Sequence, residues 1–159
     1  MGTASRAESL EQLKALGLTK PVVLSGSAVG QQIPAAFANE HFDVVIDTVG
    51  TPSLPDLLPY LNDGARIVIV GAKEFDTPIT LTTVDMLSHR LQIIGCYIGP
   101  VMHQPAVREL LTQTLDRVAS GELKVPLDKT YPLSQAAAAH QRAEERGRLG
   151  RVAIIPDKE

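Results

Sequence analysis

A chain of 159 residues is long enough for one domain with a real core and too short for two comfortable ones. Its 44% hydrophobic and 21% charged residues are ordinary for a folded protein, and a net charge of −3 gives no reason to expect nucleic acid or an anionic membrane as partner. No apolar run approaches the roughly 20 residues of a membrane-spanning helix, and a single cysteine, Cys96, excludes an internal disulfide or a cysteine zinc cluster.

The opening Met1-Gly2-Thr3-Ala4-Ser5-Arg6 lacks the apolar stretch of a signal peptide, so a reducing cytoplasm is the expected location. Ser5-Arg6-Ala7-Glu8 reads as a capping box, in which the hydroxyl caps a backbone N–H and Glu8 reaches back. Leu10, Leu13 and Leu16 then share one helical face, and Gly17 ends the helix at C′. Pro21-Val22-Val23-Leu24-Ser25 is a short apolar strand. Residues 26–30 turn the chain into a helix over 31–39, where Pro34 is tolerable only in the first turn. Residues 42–47 predict a fully buried strand, because Val44, Val45 and Ile46 run without polar alternation. A proline-interrupted helix over 53–61 follows, then Asn62-Asp63-Gly64 as a turn. Arg66-Ile67-Val68-Ile69-Val70 makes the next buried strand, ending in Gly71.

Residues 73–83 read as a loop, 84–90 as one or two helical turns, and 91–97 as a further strand. Pro105 suits a first helical position; Val107, Leu110, Leu111, Leu115 and Val118 make an amphipathic helix that stops at Gly121. Residues 125–131 are extended and contain Pro126, which suits an edge strand. Ser134 caps an alanine-rich helix running to Arg146, and residues 151–155 form a closing strand. No repeat or linker intervenes, so residues 1–159 read as a single domain. Strands alternating with helices at this spacing predict right-handed βαβ units and an α/β fold with a mostly parallel sheet.

Open parallel sheets bind ligands beyond the carboxyl ends of their strands. Those ends are Ser25-Gly26, Asp47-Thr48-Val49-Gly50 and Val70-Gly71-Ala72. Glycine there lets the backbone approach a flat ligand, with polar neighbours able to reach a ribose; equally, glycine simply turns the chain after a strand. Three such ends in register favour a site. Gly26-Ser27-Ala28-Val29-Gly30 lacks GxGxxG spacing and reads as an ordinary connection. His41, His89, His103 and His140 show no metal-ligand spacing, and His140 reads as a packing residue. No serine, histidine and acid set has a nucleophile context. With 4% aromatic residues and no tryptophan, platforms for stacking bases are not expected.

The order Asp43-Val44-Val45-Ile46-Asp47-Thr48-Val49-Gly50, residues 57–61, then Asp63-Gly64-Ala65-Arg66-Ile67-Val68 carries a family resemblance. So does the tail Thr130-Tyr131-Pro132-Leu133-Ser134 with Ala139-His140 and Gly150-Arg151-Val152. Together they resemble the C-terminal, cofactor-binding portion of medium-chain dehydrogenases/reductases, over roughly residues 3–156. The likeness is greatest to the NADPH-dependent quinone oxidoreductase branch, beside the zinc-type alcohol dehydrogenases. Residues 124–156 resemble the family's C-terminal return segment. The resemblance implies a Rossmann-like fold, NADP as cofactor, no metal in this chain, and hydride transfer to a small carbonyl, enone or quinone.

Ser5 and Arg6 look like the residues ending the second family strand, where they would meet the adenosine 2′-phosphate; for Ser5, helix capping is the competing reading. A guanidinium can hold a phosphate bidentately, which would imply NADP over NAD. Thr48, Val49 and Gly50 look like the wall beside adenosine and pyrophosphate, and Val70, Gly71 and Ala72 like the backbone edge near the nicotinamide. Cys96, Tyr97 and Ile98 resemble the segment that closes on the nicotinamide from the other side, or else a buried core strand.

The sheet is expected to be truncated on its N-terminal side, without the family's first strand and glycine-rich turn. Dinucleotide binding would be weakened or lost, and a non-catalytic Rossmann-like remnant or partner subunit becomes the alternative. A methyltransferase-like domain also fits the two Asp-led strands, although the tail argues against it. Family strand order sets the first strand between the second and fourth. Either the strand at 22–25 pairs directly with 44–47, or a sheet edge lies open. An open apolar edge predicts a homo-oligomer or a partner chain docked there.

Overall fold

The computed structural model describes residues 1–26, 29–50, 53–72, 76, 78–145 and 147–157. All strand pairing among them is parallel, in three sheets. β1 (Gly2–Ala4) pairs with β2 (Pro21–Val23); β3 (Phe42–Asp47) pairs with β4 (Leu61–Ile69), which also pairs with β5 (Gln92–Gly95); β6 (Leu127–Pro132) pairs with β7 (Arg151–Ile155). The helices are α1 (Ala7–Lys14), α2 (Val29–Phe37), α3 (Thr83–Ser88), α4 (Pro105–Ala119) and α5 (Ala136–Glu144). The expected α/β class with parallel pairing is what the chain adopts. It divides into two compact units, residues 1–23 with 104–159, and residues 24–103.

In the first unit, α1 buries Leu10 and closes as the sequence predicts. Gly17 (φ +99°) donates to the Lys14 carbonyl at 3.0 Å, and the Leu18 N–H reaches back to Leu13 at 3.1 Å. That is a Schellman closure with Gly17 at C′. The helix start is different. Arg6, not Ser5, takes the N-cap position and no side chain caps it, so the Ser5–Glu8 capping box does not form. Residues 2–4 are instead drawn into strand pairing with β2, leaving Ser5 in the bend between strand and helix.

The tail is a β6–α5–β7 unit, with β7 bounded as predicted and Tyr131 and Ala139 buried. Its strands pair parallel, unlike the antiparallel finish of a methyltransferase. Ser134 does not cap α5. Gln135 holds that position, while the Ser134 N–H and hydroxyl each donate to the Asp157 carboxylate at 3.0 Å. The predicted helix end at Arg146 lies outside the described residues. His140 is exposed rather than packed; the helix turns its neighbour Ala139 inward.

Arg142 grips Asp128 through two parallel bonds, Nε to Oδ2 and Nη2 to Oδ1, both 2.7 Å. The fork ties α5 to β6 and holds the Asp128 carboxyl below its ordinary value, chiefly through the bond from Arg142. A carboxyl lowered on folding stabilises above its unfolded pKa, and that contribution is lost as pH falls through the folded value. Stability is therefore expected to decline below about pH 4. Asp128→Asn should flatten part of that decline in thermal unfolding followed from neutral to acid pH.

In the second unit, α2 lies two residues earlier than predicted, and Ile33 and Phe37 at i and i+4 both bury. Pro34 consequently sits inside the helix, past its first turn, and packing outweighs the missing N–H. The Phe37 ring meets Phe42 edge-on at 5.5 Å and Tyr60 at 6.0 Å. Residues Leu54–Tyr60 form a 3₁₀ helix whose Leu54 and Leu58 join Leu61, Ala65, Ile67 and Leu91 in the core. Asn62-Asp63-Gly64 is not a turn between elements. It bulges within β4, where the register passes from Phe42↔Leu61 to Val44↔Arg66 and Gly64 takes φ +78°. A capping box absent from the sequence reading starts α3: Thr82 Oγ1 accepts from the Asp85 N–H at 3.1 Å, and Asp85 Oδ2 accepts from the Thr82 N–H at 2.7 Å.

β3 is not fully buried. Val45 packs on the core, but Val44 is 43% and Ile46 66% exposed on the opposite face. β2 pairs with β1 and not with β3, so among the described residues no strand lies along the second edge of β3.

Candidate cofactor site

Parallel register sets the site. Asp47 lies beside Ile69, and Ile69 beside Gly95, so β3, β4 and β5 finish level with one another. The turns at 48–50, 70–72 and 96–98 leave side by side from that one end. Backbone bonds continue just past the strands: the Val70 N–H donates to Asp47 and the Cys96 N–H to Ile69, each at 2.8 Å.

Asp47 closes the first turn. Its side chain is buried (8% exposed), and Oδ1 accepts the Val49 N–H at 2.8 Å and the Gly50 N–H at 3.0 Å. This Asx-type turn satisfies amides that would otherwise need water or a ligand. Asp47→Ala leaves both amides without their acceptor and is expected to cost about 1–3 kcal/mol. Asp47→Asn keeps an acceptor and should recover most of it. Urea unfolding of the two variants checks the pair.

The glycines work in a way the sequence did not disclose. A Cβ on Gly71 would stand 2.6 Å from the Thr48 carbonyl oxygen, and one on Gly50 (φ +70°) would stand 2.9 Å from Ala72 Cα. Each glycine makes room for the backbone of the other turn. The two turns nest into one continuous wall before any ligand is considered. Thr48, Val49 and Val70 are exposed along it. Cys96, Tyr97 (75% exposed) and Ile98 are also exposed, beyond the end of β5, so they are not a buried core strand.

The wall is apolar with a hydroxyl at one end, a surface suited to a flat ring or a sugar. Its amides at 49 and 50 already face a carboxylate, so they do not form a phosphate cradle. The third glycine end begins at Ser25, which Gln32 holds from the first turns of α2. Gln32 Nε2 donates to the Ser25 carbonyl at 2.6 Å, and its Oε1 accepts from the Ser25 N–H at 3.2 Å. A Cβ on Gly30 would run into the Asp56 carboxylate, and an acid beside the first turn of α2 disfavours a bound anion. Ser27 and Ala28 of that connection, and most of the predicted loop at 73–77, lie outside the described residues.

Ser5 and Arg6 belong to the first unit, directly after β1, whereas the other candidate residues belong to the second. Ser5 is exposed, and the Arg6 guanidinium lies against Gly147.

A sequence profile for zinc-binding dehydrogenases matches residues 27–154. The chain belongs to the zinc-binding dehydrogenase family. An acryloyl-coenzyme A reductase of Sulfurisphaera tokodaii is 26% identical over 113 residues, covering 71% of this chain and 32% of that protein. A 2-haloacrylate reductase of a Burkholderia species is 25% identical over 158 residues, covering 98% and 47%. Among solved structures, the quinone oxidoreductase of Thermus thermophilus, determined also in complex with NADPH, superposes with a TM-score of 0.69. It is 26% identical, with 93% of this chain and 46% of that one covered. The chain thus spans less than half the length of each of these relatives.

The family takes its name from a metal. In this zinc-binding dehydrogenase chain, no group of three histidine, cysteine, aspartate or glutamate side chains among the described residues could hold one.

Proposed function

We propose that this chain is the cofactor-side portion of an NADPH-dependent reductase of the medium-chain type, serving hydride transfer to a small carbonyl, enone or quinone in the cytoplasm. The observation that carries this reading is the nested wall at 48–50 and 70–72, built at the level ends of a parallel sheet. The names of the relatives, reductases of acrylate-type thioesters, haloacrylates and quinones, support the substrate class.

In this reading Thr48, Val49 and Gly50 flank the adenosine, and Val70, Gly71 and Ala72 line the nicotinamide. Cys96, Tyr97 and Ile98 close over it. Ser5 and Arg6 meet the 2′-phosphate, where a guanidinium gives two parallel bonds. The cofactor supplies the hydride, so the chain needs no nucleophile of its own. Its side chains orient the rings and exclude water, the work suited to Val49, Val70 and Ile98.

A second reading, a non-catalytic subunit with the same fold, draws on the engagement of the Val49 and Gly50 amides by Asp47. Titration followed by NADPH fluorescence separates the two. Saturable enhancement that weakens in Arg6→Ala, with NADH binding unaffected by that change, supports the reductase. No binding into the millimolar range contradicts it and leaves the subunit.

A further inference from the structure

Helix α3 ends in a full Schellman closure: the Arg90 N–H donates to the Leu87 carbonyl at 3.3 Å, and the Leu91 N–H to Met86 at 3.1 Å. Arg90 therefore stands at C′, the position glycine ordinarily fills, with φ +46°. Among the described residues no other residue except glycine adopts a positive φ. A glycine would relieve that strain and lose the guanidinium.

The guanidinium reaches 27 residues back along the chain. Its Nε donates to Asp63 Oδ1 at 2.7 Å, and its Nη2 to Asp63 Oδ2. The same corner holds the next residue, because the Gly64 N–H donates to the His89 carbonyl at 2.8 Å. Asp63-Gly64 is the one Asp-Gly pair in the sequence. The Arg90 and Asp63 side chains are 73% and 59% exposed, so water reaches them.

An Asp-Gly pair can rearrange, since glycine has no side chain to shield its amide nitrogen. The Gly64 nitrogen attacks Asp63 Cγ; a C–N bond forms, and the amide proton and a carboxyl hydroxyl leave as water. Water then opens the cyclic imide at the backbone carbonyl of Asp63. The original peptide bond breaks, isoaspartate remains, and nothing is oxidised or reduced. The attack needs a neutral carboxyl that turns freely and an amide without a partner. Here the fork holds the Asp63 carboxyl below its ordinary value, chiefly through the bond from Arg90, and the His89 carbonyl occupies the amide.

We propose that Asp63-Gly64 is an isoaspartate-forming site and that Arg90 is the clamp that keeps it closed in the folded chain. The pair lies in the bulge of β4, between Phe42↔Leu61 and Val44↔Arg66, and the rearrangement adds a methylene to the backbone there. The register beyond it, which sets Asp47 beside Ile69, would no longer be held. The inference is independent of the cofactor.

The test ages the full chain, then digests it with a protease that cuts before aspartate and passes over isoaspartate. The uncut bond between Asn62 and Asp63 measures the product. Arg90→Gly suits the left-handed backbone, so it removes the clamp and keeps the fold. Isoaspartate at Asp63 is expected to accumulate about two- to fivefold faster in folded Arg90→Gly than in the parent, the factor an exposed ion pair supplies. Arg90→Asn, also tolerant of positive φ, should give the same rise. In urea, where no clamp exists, parent and variants should react alike and faster than the folded parent. Equal rates in the folded parent and Arg90→Gly overturn the proposal. So does a folded parent that reacts as fast as the unfolded one, or a rise confined to a variant whose urea unfolding shows lost stability, which traces it to unfolding.

Discussion

Gly71→Ala is expected to lower the stability of the chain by about 3 kcal/mol, the upper part of the overpacking range. For a chain of this size that is a fall in Tm of roughly 6–12 °C. The added Cβ would stand 2.6 Å from the Thr48 carbonyl oxygen and 3.2 Å from its carbonyl carbon, and both are backbone atoms. A flexible side chain could swing aside; a peptide group held between Asp47 and its own turn cannot. Gly95→Ala is the internal control. It ends a strand of the same sheet, β5, but nothing lies within 4 Å of its Cβ position. Its effect should stay within about 0.5 kcal/mol. Equal effects at the two positions would mean that the turns at 48–50 and 70–72 do not nest.

The second large effect is expected at Ile67. This side chain is fully buried at the centre of the Leu54–Leu58–Leu91 cluster, and Ile67→Ala removes packed atoms that the surrounding 3₁₀ helix and strand cannot replace. A cost of about 2–5 kcal/mol follows from comparable core truncations. Ile46→Ala removes the same atoms from a strand of the same sheet, yet Ile46 is largely exposed, and the change should cost less than about 1 kcal/mol. Denaturant unfolding of the two variants measures which face of the sheet carries the stability.

That contrast also marks where the sequence is legible. Local signals that one residue satisfies alone are read correctly. Gly17 ends α1, Pro105 opens α4, and β7 occupies 151–155, because a left-handed glycine, a proline at N1 and an apolar run flanked by turns are decided within a few residues. Features decided by distant chain are not. The run Val44-Val45-Ile46 has the composition of a strand covered on both faces, but composition cannot say whether the second cover is present. The capping pattern at Ser5 loses to pairing between β1 and β2, a contact across some twenty residues of chain. The Thr82–Asp85 box, spelled in equally local letters, forms because no strand competes for it.

The site divides along the same line. The positions of the glycines after β3 and β4 are visible in the sequence, and their nesting is not, since it depends on a register that brings Asp47 beside Ile69. The role of Asp47 carries a local signal as well: an aspartate at the last position of a strand, two and three residues before the amides it accepts, is the ordinary Asx-turn arrangement.

The cofactor-side reading is tested most directly by amide spectra of the full chain titrated with NADPH. Resonances of Val49, Gly50, Gly71, Ala72 and Tyr97 are predicted to shift together on one saturable curve, while those of Gly17 and Gly121 stay in place. Shifts that avoid the level ends of β3, β4 and β5, or that scatter along the chain without saturating, would contradict it.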